Sequence, residues 1–234
     1  MTRATPALLR VVVLVSGRGS NLQAIVARAE AGALRARVEA VVSDRAHAGA
    51  LPWAAERGIR TAVLSPQEFA DRDDYGRALG DLVAGFAPQL VVLAGFMRIL
   101  SDGFVNRFAG RLLNIHPSLL PRYPGLHTHR RALAAGDREH GASVHFVTPE
   151  LDGGPVVIQA TVPVLPGDDE QSLAARVLEQ EHVIYPRCVG WFADGRLEFR
   201  DGVPWLDGAR LDAPVVLEAG SQPHSPIDTG LRHP

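Results

Sequence analysis

The sequence predicts a doubly wound α/β fold on a mostly parallel sheet, with a mixed C-terminal part, and three observations carry that expectation. Short β-branched runs recur at 11–15, 38–42 and 61–64, with apolar residues at helical spacing between them. Residues 90–93 are apolar throughout, as in strands buried beneath helices on both faces. The first run ends in Ser16-Gly17-Arg18-Gly19-Ser20-Asn21, a glycine turn that leads directly into a helical pattern.

Residues 11–15 form the first strand, and Leu22, Ile25, Val26 and Ala29 mark one face of the helix that follows. A second strand spans 38–42, a helix spans 51–57 before the Gly58 stop, and a third strand at 61–64 precedes a Ser65-Pro66 helix start. A helix at 75–86 leads to the apolar strand at 90–93. This alternation implies parallel strands joined by right-handed crossovers. Beyond it come a strand at 111–115, a Pro-rich loop, and a helix that begins at Thr128 and exits at Gly136. Strands at 143–147 and 156–162 enclose the turn-rich segment Thr148-Pro149-Glu150-Leu151-Asp152-Gly153-Gly154. A helix from Asp168 to about Val189 closes the domain, its acidic start matching the positive end of a helix dipole. The organisation expected is an N-terminal extension at 1–9, a domain at 10–213 made of halves 10–108 and 109–213, and a flexible tail at 214–234 rich in Pro, Ser, Gly and His. No internal repeat is visible.

With 234 residues, 46% of them hydrophobic, the chain can build a large core. A formal charge of -2 argues against a dedicated nucleic-acid binder, which needs a basic face to displace counterions. The single cysteine, Cys188, has no partner for an internal disulfide, which suits a reducing cytoplasm. Arg10 interrupts the apolar start, so the N-terminus reads as a strand instead of a signal peptide. Nowhere is there an apolar stretch long enough to span a bilayer.

Asn114-Ile115-His116-Pro117-Ser118-Leu119-Leu120-Pro121 carries the most chemical information. Strand alternation sends Asn114 and His116 to one face, setting an amide donor beside a titratable base. Such a pair suits attack on a carbonyl or formyl carbon; the alternative is a strand end with a satisfied, partly buried histidine. Asp152 is either a turn residue, as Asp-Gly often is, or a counter-ion for His116. The glycine turn either cradles a phosphate on free backbone amides or merely reverses the chain. Leu22 stands where a dinucleotide fingerprint has its third glycine, so a monophosphate fits better. Residues 93–100 either wall a cleft at the carboxyl end of the sheet or pack against the core, and Arg72 is either an anion contact or a solvated charge. Nine histidines invite a metal reading, but His116, His127 and His129 lack ligand spacing and a supporting acid or Cys, so no metal is expected.

On these residues the chain resembles the monofunctional, folate-dependent phosphoribosylglycinamide formyltransferases of de novo purine synthesis. The resemblance runs from about Val11 to about Leu211 and is carried by the glycine turn with Leu22-Gln23-Ala24-Ile25, by 93–101, 114–129, 141–159 and 180–186. It implies a Rossmann-like formyltransferase fold and transfer of a formyl group from 10-formyltetrahydrofolate, as co-substrate, to the amine of glycinamide ribonucleotide. Carried over, Asn114, His116 and Asp152 hold the chemistry, Gly19, Ser20 and Asn21 the phosphoribosyl group, and Glu181 its ribose. Met97, Arg98, Ile99 and Leu100, with Asn114 and the loop Thr148, Pro149, Glu150, Leu151 and Asp152, frame the pterin, while Arg72 meets the glutamate tail. Arg18 and Pro149 depart from the most familiar sequences of the family. Related enzymes are monomers or homodimers. Rival readings are formyltetrahydrofolate deformylase, whose N-terminal regulatory domain residues 1–9 leave no room for, methionyl-tRNA formyltransferase, which needs an added C-terminal domain, and a non-catalytic nucleotide-binding protein.

Overall fold

In the computed structural model, which describes residues 7–218, β1 (Leu9–Val15) lies inside the main sheet and pairs in parallel with two neighbours. These are β2 (Ala36–Ser43) and β4 (Leu90–Leu93); β3 (Arg60–Val63) extends the parallel set beyond β2, and β5 (Leu112–His116) extends it beyond β4. β6 (Glu139–Phe146) and β7 (Val156–Pro163) then continue the sheet antiparallel. A separate three-stranded sheet comprises β8 (Leu197–Arg200), β9 (Val203–Leu206) and β10 (Ala209–Arg210). The last strand, β11 (Val215–Glu218), returns to the main sheet and pairs in parallel with β7, giving the order β11-β7-β6-β5-β4-β1-β2-β3. The fold is thus the mostly parallel α/β arrangement expected, with its mixed part at the C-terminal side.

Burial on both faces follows from alternation along β1. Val11, Val13 and Val15 join one apolar cluster with Leu22 and Ile25 of α1 (Ser20–Glu30). Val12 and Leu14 join a second one on the opposite face, with residues of helices that follow α2 (Ala50–Ala55). Tyr75, Leu79 and Val83 come from α3 (Arg72–Gly85), and Phe104 and Val105 from α4 (Asp102–Arg107). α5 (Thr128–Ala134) and the long α6 (Glu170–Ala193) complete the helices, and α6 delivers Leu173, Val177, Ile184 and Tyr185 to the first cluster. The Tyr185 hydroxyl, fully buried, lies 2.9 Å from the Leu93 carbonyl and 3.0 Å from that of Leu113, and so ties α6 to the carboxyl ends of β4 and β5.

Several expectations need correction. Val215–Glu218 falls in the expected flexible tail yet forms β11, because four extended residues can satisfy their backbone groups on the open edge of β7. Leu9 belongs to β1 and not to an extension. Residues 1–6 and 219–234 of the expected extension and tail lie outside the described residues. α4 was not foreseen, although Ser101 caps it by accepting from the Phe104 N–H at 3.3 Å. α6 starts at Glu170, directly after its N-cap Asp169, which forms a capping box with Ser172 in the first turn, and runs on to Ala193. The Tyr185 bridge sets an expectation for stability: Tyr185→Phe lowers the urea unfolding free energy by roughly 1–2 kcal/mol, the cost of leaving buried carbonyls short of a donor.

Candidate functional site

The carboxyl ends of β1, β4 and β5 are neighbours in the sheet, and each carries one part of a composite site. After β1, the turn reaches Gly19, which caps α1 with a left-handed φ of 77° and no side chain. A Cβ there would sit 2.7 Å from the Ala50 side chain, so only glycine lets the turn lie against α2. The first intrahelical bond is donated by Gln23 to the Gly19 carbonyl, leaving the N–H groups of Ser20, Asn21 and Leu22 without an intrahelical acceptor. These are donors suited to an anion. Behind them, the Asn21 side-chain amide donates to Glu181 Oε2 at 2.6 Å, joining α1 to α6. Burial pushes the Glu181 carboxyl from 4.5 up to about 7, outweighing the opposing bond from Asn21. Asn21 Oδ1 is buried with no hydrogen-bond partner among the described residues.

After β4 the chain is fastened to the same turn. The Ser16 N–H donates to the Gly95 carbonyl at 3.1 Å, and Ser16 Oγ accepts from the Met97 N–H at 2.8 Å. Met97 and Ile99 are thereby held in the open, 59% and 57% exposed. With Leu126 and Leu151 they supply four of the nine large exposed apolar side chains among the described residues, and all four line one cleft of about 440 Å³. A concentration of exposed apolar surface around one depression marks a ligand site. Phe96, Arg98, Asn114, His116 and Asp152 line it as well. A smaller cavity of about 100 Å³ adjoins it, bounded by Leu100, His145 and the loop residues Thr148, Pro149, Glu150, Leu151 and Asp152, with Arg98, Ile99 and Asn114 shared between the two.

After β5 come the groups capable of acid–base work. His116 Nδ1 is 3.5 Å from Asp152 Oδ2, and His116 Nε2 is 2.9 Å from the Tyr123 carbonyl. Both ring nitrogens face oxygen acceptors. Asp152 is a non-glycine residue at a φ of 50°, and its Oδ2 accepts from the Gly125 N–H at 2.8 Å, which fixes the carboxylate against the Pro-rich loop. The turn requires Gly154: a Cβ there would lie 1.9 Å from the Phe146 carbonyl oxygen. Asn114 Nδ2 lies 3.1 Å from Nε2 of His145, whose Nδ1 is 2.9 Å from the Phe146 carbonyl. Since Nδ1 must donate to that carbonyl, Nε2 of the neutral ring accepts, and the Asn114 amide is turned with its NH₂ toward the ring. Burial pushes His145 down to about 4, so the ring is neutral well above that pH.

The structure therefore brings Asn114, His116 and Asp152 together with Met97, Arg98, Ile99, Leu100 and the loop from Thr148 to Asp152. Gly19, Ser20, Asn21 and Glu181 form a second cluster at the glycine turn. Arg72, exposed at the start of α3, lines neither cavity. His145 is the site residue that sequence reasoning missed; its only signal is alternation with Ser143 in a predicted strand, and the register of that strand against β5 is not legible in the sequence. His129 Nδ1 lies 3.1 Å from His140 Nε2, and among the described residues no three or more His, Cys, Asp or Glu gather as metal ligands. No helix of the described residues is long and apolar enough to cross a membrane.

Residues 9–189 match the sequence family described as formyl transferase. The phosphoribosylglycinamide formyltransferase of Escherichia coli K12 is 57% identical over 203 residues, covering 87% of this chain and 96% of that one. Its counterpart in Haemophilus influenzae is 46% identical, covering 86% and 95%. A solved phosphoribosylglycinamide formyltransferase from Coxiella burnetii, in complex with CHES, aligns with a TM-score of 0.86 at 46% identity, over 89% of this chain and 99% of that chain.

The raised Glu181 carboxyl links the site to stability. Its folded value of about 7 lies above the ordinary 4.5, so its contribution is full below 4.5 and is lost as the pH rises through 7. Glu181→Gln removes that loss. Relative to the unchanged protein, it is expected to gain roughly 3 kcal/mol at pH 8 and nothing at pH 4.5, read as the difference in denaturant unfolding at the two pH values.

Proposed function

The chain belongs to the formyl transferase family, and from that premise we infer that it transfers the formyl group of 10-formyltetrahydrofolate to the amine of glycinamide ribonucleotide, a step of de novo purine synthesis that releases tetrahydrofolate. The observation that carries this reading is the placement of Asn114, His116 and Asp152 in one cleft with an apolar wall, to which Ser16 fastens the turn with free backbone amides. Relatives 57% and 46% identical to it carry the name phosphoribosylglycinamide formyltransferase.

In this reading the acceptor's phosphate rests on the amides of Gly19, Ser20 and Asn21, and Glu181 takes a ribose hydroxyl. The flat pterin enters the smaller cavity between Leu100 and the loop Thr148, Pro149, Glu150, Leu151 and Asp152, while Met97, Arg98 and Ile99 wall the donor on its open side. Arg72 lies outside the cavities at the rim of α3, where the glutamate tail would emerge toward solvent. The amine attacks the formyl carbon and a tetrahedral intermediate forms with charge on the former carbonyl oxygen. Asn114 is suited to that oxygen: His145 takes one of its amide hydrogens and leaves the other for the substrate. His116 supports the developing charge, with Asp152 as its counter-ion. Because the Tyr123 carbonyl accepts from His116 Nε2, the ring meets the substrate by exchanging that carbonyl for it. The amine proton passes toward the departing folate nitrogen through water held by the same groups. Juxtaposing donor and acceptor is itself worth on the order of 7–11 kcal/mol. The setting proposed is the cytoplasm, consistent with a single cysteine that is buried.

Purified protein with glycinamide ribonucleotide and a 10-formyl folate is expected to yield the N-formyl product. Formate released when the amine is omitted, at a rate matching full turnover, would identify a hydrolase instead. His116→Ala and Asp152→Asn are each expected to lower kcat by roughly 10²–10⁴-fold, the range of acid–base contributions, with little change in folate affinity by equilibrium titration. Full activity in either variant would sink the role assignment.

A further inference from the structure

Asp44 follows the last residue of β2 and its side chain is sealed from solvent, 0% exposed, whereas its partner Arg98 is 44% exposed. Arg98 Nε donates to Asp44 Oδ2 at 3.0 Å. The two Nη groups of Arg98 have no partner among the described residues, and Arg98 lines both cavities of the site. A second basic group, Arg45, stands farther away, its Nε 3.8 Å from the same Oδ2. Asp44 Oδ1 and the Tyr75 hydroxyl are both buried without a hydrogen-bond partner among the described residues. Burial first, and then the neighbouring Asp44, push the Tyr75 hydroxyl up to about 12, with Arg98 opposing. Asp44 therefore sits in a small buried polar nest, beneath a guanidinium whose outer face is unspent.

Sheet order decides which end of the donor that guanidinium meets. From β5, which carries Asn114, to β2, which leads into Asp44, are three strand steps, about 14 Å at the usual strand spacing. The small cavity lies over β4, β5 and β6, lined by Leu93, Asn114, His145, Val147 and the loop after β6, and none of its lining residues belongs to β2 or α3. A folate with its pterin in that cavity and its formyl group at Asn114 directs its opposite, carboxylate-bearing end toward β2 and α3.

We propose that Asp44 is a positioning residue for the folate tail: by holding Arg98 through Nε, it presents the free Nη pair to the tail carboxylates. This rests on the formyl-folate reading above. A guanidinium fixed on one edge loses less rotamer freedom when its other edge binds a carboxylate. The role needs an acceptor at Asp44 and does not need its charge, which separates it from simple charge balance.

The test compares two donors with the full chain, 10-formyl folate bearing its glutamate and 10-formyl pteroate, which lacks it. Asp44→Ala is expected to raise the KM of the glutamate-bearing donor about five- to tenfold, with kcat and the KM for glycinamide ribonucleotide within twofold of the unchanged enzyme. The pteroate donor should show no such rise. Asp44→Asn, which keeps an acceptor for Nε, should restore the KM to within twofold. An equal rise for both donors, an unchanged KM in Asp44→Ala, or a failure of Asp44→Asn to restore it each overturn the proposal. Should Asp44→Ala not fold, Arg98→Lys serves, since an ammonium cannot bond Asp44 and extend a planar pair to the tail together: the same tail-dependent rise supports the proposal, and its absence overturns it. Turnover of neither donor by the unchanged enzyme overturns the formyl-folate reading itself, an outcome visible before any variant is compared.

Discussion

β5 and β6 run antiparallel in a register that sets Asn114 opposite His145 and His116 opposite Ser143, and the site depends on that pairing. The first pair orients the amide through the neutral imidazole. The second stations Ser143, whose Oγ accepts from the Leu120 N–H at 3.0 Å, donates to the Ser118 carbonyl at 2.6 Å and accepts from Gln159 Nε2 at 2.9 Å. Gln159 also donates to the Leu120 carbonyl at 2.8 Å, so the Pro-rich loop is pinned by polar groups on β6 and β7. A slip of one residue would turn both side chains from the cleft into the opposite face. The strand pair that aims Asn114 and His116 thus also holds the loop carrying Tyr123 and Gly125, which touch His116 and Asp152.

Direction matters as much as register. Parallel strands place the ends of β1, β4 and β5 on one edge, where loops can meet without covering the core. β6 reverses direction, and the loop between it and β7 carries Asp152 to within 3.5 Å of His116 at the end of β5. The turn after β1 offers backbone donors and a buried carboxyl; the segment after β4 offers exposed apolar side chains. Ser16 fastens one to the other through Gly95 and Met97. A polar subsite and an apolar one therefore share a wall, which is what a reaction between a phosphorylated amine and a flat aromatic donor requires.

The parallel half of the sheet was legible because its signals are local: β-branched runs for β1 and β2, an apolar run for β4, and glycine at the turn where φ is positive. His116 and Asp152 could be suspected as partners because their strands were expected to be neighbours. His145 could not be linked to Asn114, since that link is a cross-strand register, and register is settled by tertiary packing. The small sheet of β8, β9 and β10 is a different kind of miss. Asp201-Gly202 and Asp207-Gly208 both have positive φ at each residue, and such Asp-Gly pairs between short apolar segments are strong hairpin signals that were overlooked. Arg72 carries a further lesson: the helix that it opens was expected only from Tyr75, and an exposed arginine's reach is not written in its position.

β11 alters what the margin of this protein offers to other molecules. Without those four residues, β7 would end the sheet with eight residues of backbone donors and acceptors facing water, a template for another chain's strand. With them, the outermost strand is short, and at the far margin β3 is equally short. The segment after the small sheet thus acts as a selvedge, finishing the sheet so that it does not knit onto a neighbour; a chain trimmed before Val215 would keep every group of the cleft and lose that finish.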